Sequence, residues 1–153
     1  MDSLDLGGDA SRLVWDSGKI TLANSGLTVG AGGLVGSTVD ITNDGIERQL
    51  GNKTYNYLTS KTLSLSGDLV IEDGGSLTVE SKRSVSNSWF NSVASSQVMT
   101  STNVVMEGNS QITLNAWSQL YADGTIDLGT AGELTLAHEG ARVRATSISA
   151  SGG

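Results

Sequence analysis

The chain has 153 residues, a formal net charge of −7 and neither cysteine nor proline. This length fits one domain with a substantial apolar core, and the acidity argues against a nucleic-acid partner because phosphate backbones repel such a chain. The lack of cysteine excludes disulfides and cysteine-based metal sites, and no apolar run approaches the ~20 residues of a membrane span.

Short pairs of apolar residues, separated by turn-forming residues, fill residues 1–43. One residue intervenes within each pair, so both side chains lie on the same face of a strand. The glycines between pairs supply the backbone conformations that sharp corners need. The pairs are Leu4/Leu6, Leu13/Trp15, Ile20/Leu22, Leu27/Val29 and Val39/Ile41, with Leu34 standing alone.

Residues 44–61, DGIERQLGNKTYNYLTSK, interrupt this pattern. They contain Tyr55 and Tyr57 and three of the nine basic residues. We interpret them as an excursion from a regular β wall, the kind of segment in which repeat proteins often place function. The regular pairs then resume as Leu63/Leu65, Leu69/Ile71 and Leu77/Val79.

Residues 80–103, ESKRSVSNSWFNSVASSQVMTSTN, form a second excursion. Its larger apolar residues recur every four or five positions, which is closer to helical periodicity than to strand alternation. The many serines weaken a helix. The segment therefore predicts either a short helix or an ordered loop, carrying Trp89 and Phe90.

Residues 104–148 give the clearest repeat. Apolar residues recur after 22 or 23 positions in Val104 and Ile126, Ile112 and Leu134, Leu120 and Val143, and Ile126 and Ile148. Three strands per turn of chain at this period predict an all-β, single-domain β-solenoid (parallel β-helix) over residues 1–153, with about 22 residues per coil and excursions at 44–61 and 80–103. An antiparallel β-sandwich or jelly roll stays open as the alternative, because it also has short strands and frequent turns.

Scarce aromatic residues are the best candidates for contacts with a partner, since Trp and Tyr dominate interface hot spots and also stack on sugars. Trp89 and Phe90 lead this group because they lie in the irregular second excursion. The full set of interface candidates is Trp89, Phe90, Trp117, Tyr121, Tyr55 and Tyr57.

Chemistry-bearing residues form no recognisable catalytic or metal motif. His138 is the single histidine, which excludes a multi-histidine zinc site. The Asp-Gly pairs at residues 44–45, 73–74 and 123–124 can be read as calcium ligands, but Asp-Gly is also an ordinary turn dipeptide. Acidic residues are spread evenly, with no pair that suggests glycoside hydrolysis. We expect no catalytic residue, no cofactor, no metal and no enzymatic activity.

The phrases GLTVGAGG (26–33), DLVIEDGGSLTVES (68–81) and GTIDLGTAGELTLA (124–137) resemble the glycine-punctuated rungs of parallel β-solenoids. Such rungs occur in phage fibre and decoration proteins, autotransporter passengers and haemagglutinin-like adhesins. The resemblance implies a structural role and transfers no functional residue.

Two main functional hypotheses follow, with a third behind them. The first is a phage virion component on the particle exterior, such as a capsid decoration or fibre-like protein, which binds copies of itself or other virion proteins. Residues 1–5 lack the basic and apolar regions of a signal peptide, which fits this hypothesis. The alternative is a fragment of a bacterial surface adhesin that binds glycans outside the cell, and a polysaccharide-cleaving enzyme comes third.

Overall fold

The structure, a computed structural model, describes residues 18–31, 36–43, 46–57, 60–81, 84–86, 91–93 and 95–151. Every regular element in this part of the chain is a β-strand. The strands are β1 (Gly18–Leu22), β2 (Leu27–Val29), β3 (Thr38–Asn43), β4 (Ile46–Leu50), β5 (Lys53–Tyr57), β6 (Ser60–Leu65), β7 (Leu69–Ile71), β8 (Ser76–Ser81), β9 (Ser84–Ser86), β10 (Asn91–Val93), β11 (Ser95–Thr100), β12 (Val104–Met106), β13 (Gln111–Leu114), β14 (Ser118–Ala122), β15 (Thr125–Asp127), β16 (Glu133–Leu136), β17 (Arg142–Arg144) and β18 (Ser147–Ser149).

Three parallel sheets form the body of the protein. Sheet A has the order β1-β6-β11-β14-β17, sheet B the order β2-β7-β12-β15-β18, and sheet C the order β3-β8-β13-β16. The chain visits A, B and C in turn, and we call each such visit a pass. Because all pairs within these sheets are parallel, the antiparallel sandwich considered from the sequence is wrong.

The predicted register of the C-terminal half is confirmed. Val104 pairs with Ile126, and Ile126 pairs with Ile148 in sheet B. Ile112 pairs with Leu134 in sheet C, and Leu120 pairs with Val143 in sheet A. The passes of this half have nearly equal lengths, so equivalent residues of successive passes align.

The core lies between the three sheets, because one cluster of buried apolar residues draws on all of them. Leu120 from sheet A, Ile126 from sheet B and Ile112 from sheet C are all fully buried. Each such side chain stabilises the fold by about 1.5–3 kcal/mol through burial of apolar surface. Alternate residues of the same strands face outward, which gives the repeated buried-intermediate-buried pattern of β7, β8, β12 and β14.

The two predicted excursions are shorter than the sequence indicated. β4 pairs with β5 and β9 pairs with β10, so each excursion contains an antiparallel β-hairpin. The described part of residues 80–103 has no helix. Its last strand, β11, pairs with β6 and β14 inside sheet A, and Ser60 and Lys61 likewise belong to β6.

Candidate interaction surface

Both hairpins leave the body of the protein at the same place, the connection from sheet C to sheet A. β4 and β5 lie between β3 and β6, while β9 and β10 lie between β8 and β11. Later passes cross the same connection with the short turns 115–117 and 137–141. We call this connection the insertion corner, and its described residues are 46–57, 84–86, 91–93, 115–117 and 137–141.

Buried polar side chains line the inside of the insertion corner. Asn43 is fully buried, and its Nδ2 donates a 2.9 Å hydrogen bond to the carbonyl oxygen of Ser95. Ser81 donates to the hydroxyl of Ser96, which in turn donates to the carbonyl oxygen of Glu80 at 2.8 Å. Satisfied polar groups of this kind can remain buried without the cost of an unpaired group. The corner therefore accommodates inserted chain without opening the apolar core.

Lys61 adds a bond across this corner. Its Nζ donates a 2.6 Å hydrogen bond to the carbonyl oxygen of Thr42. The two residues belong to β6 and β3, so the bond joins a strand of sheet A to a strand of sheet C. Lys61 thus adds a side-chain hydrogen bond between sheets A and C to those of the buried polar residues at this corner.

Trp117, one of the six interface candidates, lies in the insertion corner. It has a φ of 55°, a conformation that is uncommon for a residue with a Cβ. Its ring lies over Gly140 of the next pass, where an added Cβ would be 2.4 Å from the ring atom Cε3. The indole is half-buried and held between two passes, so a flat aromatic surface is presented at the corner.

Tyr121 lies on the outer face of sheet A, half-buried, and its hydroxyl donates to Oε1 of Gln119. Its strand neighbours in register are Met99 and Arg144. Met99 is 37% exposed, which makes it one of the few large apolar side chains on the surface. Tyr121 therefore lies on the outer face of sheet A next to an exposed apolar and a basic side chain.

The remaining candidates belong to the inserted segments. Tyr55 and Tyr57 are on β5, the second strand of the first hairpin. Trp89 and Phe90 lie outside the described residues, between β9 and β10 in sequence. Tyr55 and Tyr57 thus belong to the insertion corner together with Trp117, while Tyr121 lies on the adjoining sheet A.

Charge is segregated between the walls, a feature that the sequence analysis missed. The five strands of sheet A contain Lys19, Lys61, Arg142 and Arg144 and no carboxylate. The strands of sheets B and C contain Asp40, Glu80, Asp127 and Glu133 and no Lys or Arg. An acidic protein therefore has one basic wall. Evenly spread acids in the linear sequence hide this, because the segregation shows only when strands are grouped by sheet.

Acidic residues at the other corners bind the next pass. Asp68, before β7, accepts hydrogen bonds from the backbone N–H of Asn103 at 2.9 Å and from its Nδ2 at 3.3 Å. Asp73 accepts in the same way from the backbone N–H of Asn109 at 2.8 Å. A hydrogen bond from Thr102, followed by those from Asn103, lowers the pKa of Asp68 below its ordinary value. These carboxylates thus tie one pass to the next.

Asp68→Asn is expected to weaken the loss of stability in acid. The pKa of Asp68 in the folded protein lies below the ordinary 3.8. The stability that the Asp68 carboxylate contributes is therefore complete above the unfolded pKa of 3.8. It is lost as the pH falls through the lower pKa of the folded state. Urea unfolding over pH values from about 6 to about 2 measures the effect. Thr102→Val removes the largest cause of the lowered pKa of Asp68 and should reduce the pH dependence of the unfolding free energy in part. If the unfolding free energy of Asp68→Asn falls with pH as steeply as that of the wild type, this account is contradicted.

The two described Asp-Gly pairs do not assemble a metal site. Asp73 already accepts hydrogen bonds from Asn109, and Asp123 is exposed. In the ranges that the structure describes, no three His, Asp or Glu side chains come together in a group able to hold a metal ion. His138 is exposed in the turn 137–141, with its Nδ1 3.3 Å from the carbonyl oxygen of Glu139. The pair at 44–45 lies outside the described residues.

Comparisons with protein-family models, with curated proteins and with solved structures found no match to this chain. Among the described residues there is also no helix of the length and apolar character needed to cross a membrane. Its function is therefore inferred from the fold and surface of the protein itself.

Proposed function

We propose that this protein is a non-enzymatic β-solenoid that acts as a structural component of a phage particle through self-association and surface contacts. The three parallel sheets around one core support the solenoid, with each pass forming one coil. The glycine-punctuated rungs, which resemble those of phage fibre and decoration proteins, support the assignment to a virion.

The main support for self-association is the uncovered end formed by β16, β17 and β18. Each of these strands pairs on one side only within its sheet. Ile148 continues the register of the fully buried Ile126 but is 55% exposed, and Leu136 continues that of Leu114 but is 50% exposed. At the opposite end Val29 and Ile41 are buried. The end thus presents open strand edges and core residues together.

Such an end attracts another β structure, because unpaired strand edges and apolar side chains both gain from contact. Burying the exposed half of Leu136 and of Ile148 would contribute about 1 kcal/mol each. Two kinds of segment have the matching geometry, namely a second copy and further coils of a longer chain. Measurements on the 153-residue chain test the first.

Leu136→Lys/Ile148→Lys is expected to reduce the association of the chain, because two ammonium groups would replace the apolar surface of the end. Sedimentation velocity over a concentration series should show smaller species for this variant than for the wild type. Ser147→Lys/Ser149→Lys is the matched control, since it adds the same charge to exposed positions of β18 on the outer face of sheet B. A wild-type chain that is monomeric at every concentration would contradict the proposed self-association.

The glycan-binding alternative has one observation in its favour. Tyr121 lies on the outer face of sheet A beside Gln119, Met99 and Arg144, and exposed tyrosine rings stack on sugars. Glycan-array binding by a monomeric wild-type chain, lost in Tyr121→Ala, would favour the adhesin hypothesis over the virion component.

A further inference from the structure

We propose that the basic outer face of sheet A on one copy docks against the acidic outer face of sheet C on a second copy. This inference rests on the proposed self-association and names a lateral contact, distinct from the uncovered end.

The outer face of sheet A is basic at both ends and uncharged between them. Lys19 is exposed on the first strand, and Arg142 and Arg144 are exposed on the last. The strands between them present hydroxyl, amide, thioether and phenol groups. In register order, the two outward rows are Lys19, Thr62, Gln97, Gln119 and Arg142, and Thr21, Ser64, Met99, Tyr121 and Arg144.

The outer face of sheet C has the complementary arrangement. Asp40 is exposed on its first strand and Glu133 is exposed on its last. Between them lie hydroxyl and amide side chains and the carboxylate of Glu80 on β8. The three outward rows are Thr38, Ser76, Gln111 and Glu133; Asp40, Thr78, Thr113 and Thr135; and Thr42 and Glu80.

The two faces also match in length. Neighbouring strands lie about 4.8 Å apart, so the five strands of sheet A span about 19 Å and the four strands of sheet C about 14 Å. Lys19 and Asp40 belong to the same pass, while Arg142 lies one strand spacing beyond the level of Glu133. Two copies side by side, with their strands stacked in the same direction, therefore bring opposite charges together at both ends. Arg side chains are long enough to cover the remaining offset of about 5 Å.

A second copy fits this face better than a free anionic polymer. The net charge of −7 repels an anionic polymer at long range, whereas each copy itself supplies an acidic wall of matching length. Contact of sheet A with sheet C of the next copy is head-to-tail and can continue around a ring. Sheets A and C meet at the insertion corner, so Trp117 lies beside this contact.

Charge reversal with rescue tests the proposal. Arg142→Glu/Arg144→Glu makes the basic face acidic, and Asp40→Arg/Glu133→Arg makes the acidic face basic. Each double variant is expected to weaken association about ten-fold or more, because like charges then face each other. The chain with all four changes should associate again. Association of the wild type should also fall between about 0.1 M and about 1 M NaCl, as the Debye length decreases from about 10 Å to about 3 Å.

The control is Ser147→Glu/Ser149→Glu, which adds acid at the same end but on sheet B and should keep wild-type lateral association. Absolute mass by light scattering is the readout, and circular dichroism shows whether each variant is folded. If the wild type is multimeric and both reversed variants match it, the lateral contact is wrong while the proposed self-association stands. If the wild type is monomeric, the lateral contact and the proposed self-association are both contradicted. A monomer that binds heparin through Arg142 and Arg144 would overturn the inference and assign the face to anionic polysaccharide.

Discussion

Ile112→Ala is expected to lower the free energy of unfolding by about 2–5 kcal/mol, since it removes a large side chain from a closely packed core. Ile112 is fully buried in β13 and lies in register between Leu77 and Leu134 of the neighbouring passes. The cavity would therefore interrupt apolar contact along the stack. Urea unfolding followed by circular dichroism measures the change.

Thr113→Ala is the matched control, because Thr113 is the next residue of the same strand and faces outward. It should cost less than about 1 kcal/mol, the usual range for substitutions away from a packed core. Equal losses in the two variants would contradict the alternation of inward and outward residues, and with it the position of the core between the three sheets.

Gly26→Ala is expected to cost about 2–3 kcal/mol, because overpacking next to fixed backbone cannot be relieved by a side-chain movement. A Cβ at position 26 would be 2.0 Å from the carbonyl oxygen of Asp68. That oxygen accepts a hydrogen bond from the backbone N–H of Leu27 at 3.0 Å, and the Asp68 carboxylate is bonded to Asn103. Asp68 is therefore held from both sides and cannot move away.

Ser25→Ala provides the comparison for this corner, since it changes the preceding residue without adding a Cβ. Its carbonyl oxygen, which accepts from the backbone N–H of Gly67 at 3.1 Å, is unaffected. A lower urea midpoint with an unchanged denaturant slope in Gly26→Ala alone is the expected result. Wild-type stability in Gly26→Ala would show that the passes are not packed as closely at this corner as the backbone distances indicate.

The C-terminal half could be predicted from the sequence because its units have nearly equal lengths. Three short strands and their turns together fill 22 or 23 residues, so residues at that separation lie on the same wall. The pairs of Val104 with Ile126 and of Leu120 with Val143 follow directly. Passes that contain a hairpin are longer, so the period of 22 or 23 residues does not apply to them, and Leu69 pairs with the more distant Val104.

Strand β11 shows why the second excursion was drawn too long. Its inward residues are Ser96, Val98 and Thr100, so two of the three are polar and the strand lacks an apolar pair. The structure satisfies them internally: Ser96 donates to the carbonyl oxygen of Glu80, and Thr100 donates to that of Gly67 at 2.6 Å. Hydropathy alone cannot reveal such bonds, since the acceptors lie in the preceding pass.

The surface was predicted less completely than the fold. Aromatic scarcity made Trp117 an interface candidate, which stays a prediction, and nothing in the sequence indicates its φ of 55° or its contact with Gly140 in the next pass. To recognise the basic face from the sequence, one would also need the order of the strands in sheet A. Lys19 and Arg142 are far apart in sequence and share a wall only through three intermediate strands. A charge pattern of this kind becomes visible once the strand order is known.

The absolute mass of the wild-type chain, measured by light scattering after size exclusion over a concentration series, tests the central claim most directly. Self-association predicts a mass that is a multiple of 15.8 kDa, in a defined ring or in species that grow with concentration. A mass of 15.8 kDa at every concentration would contradict the claim that this protein builds structure from copies of itself.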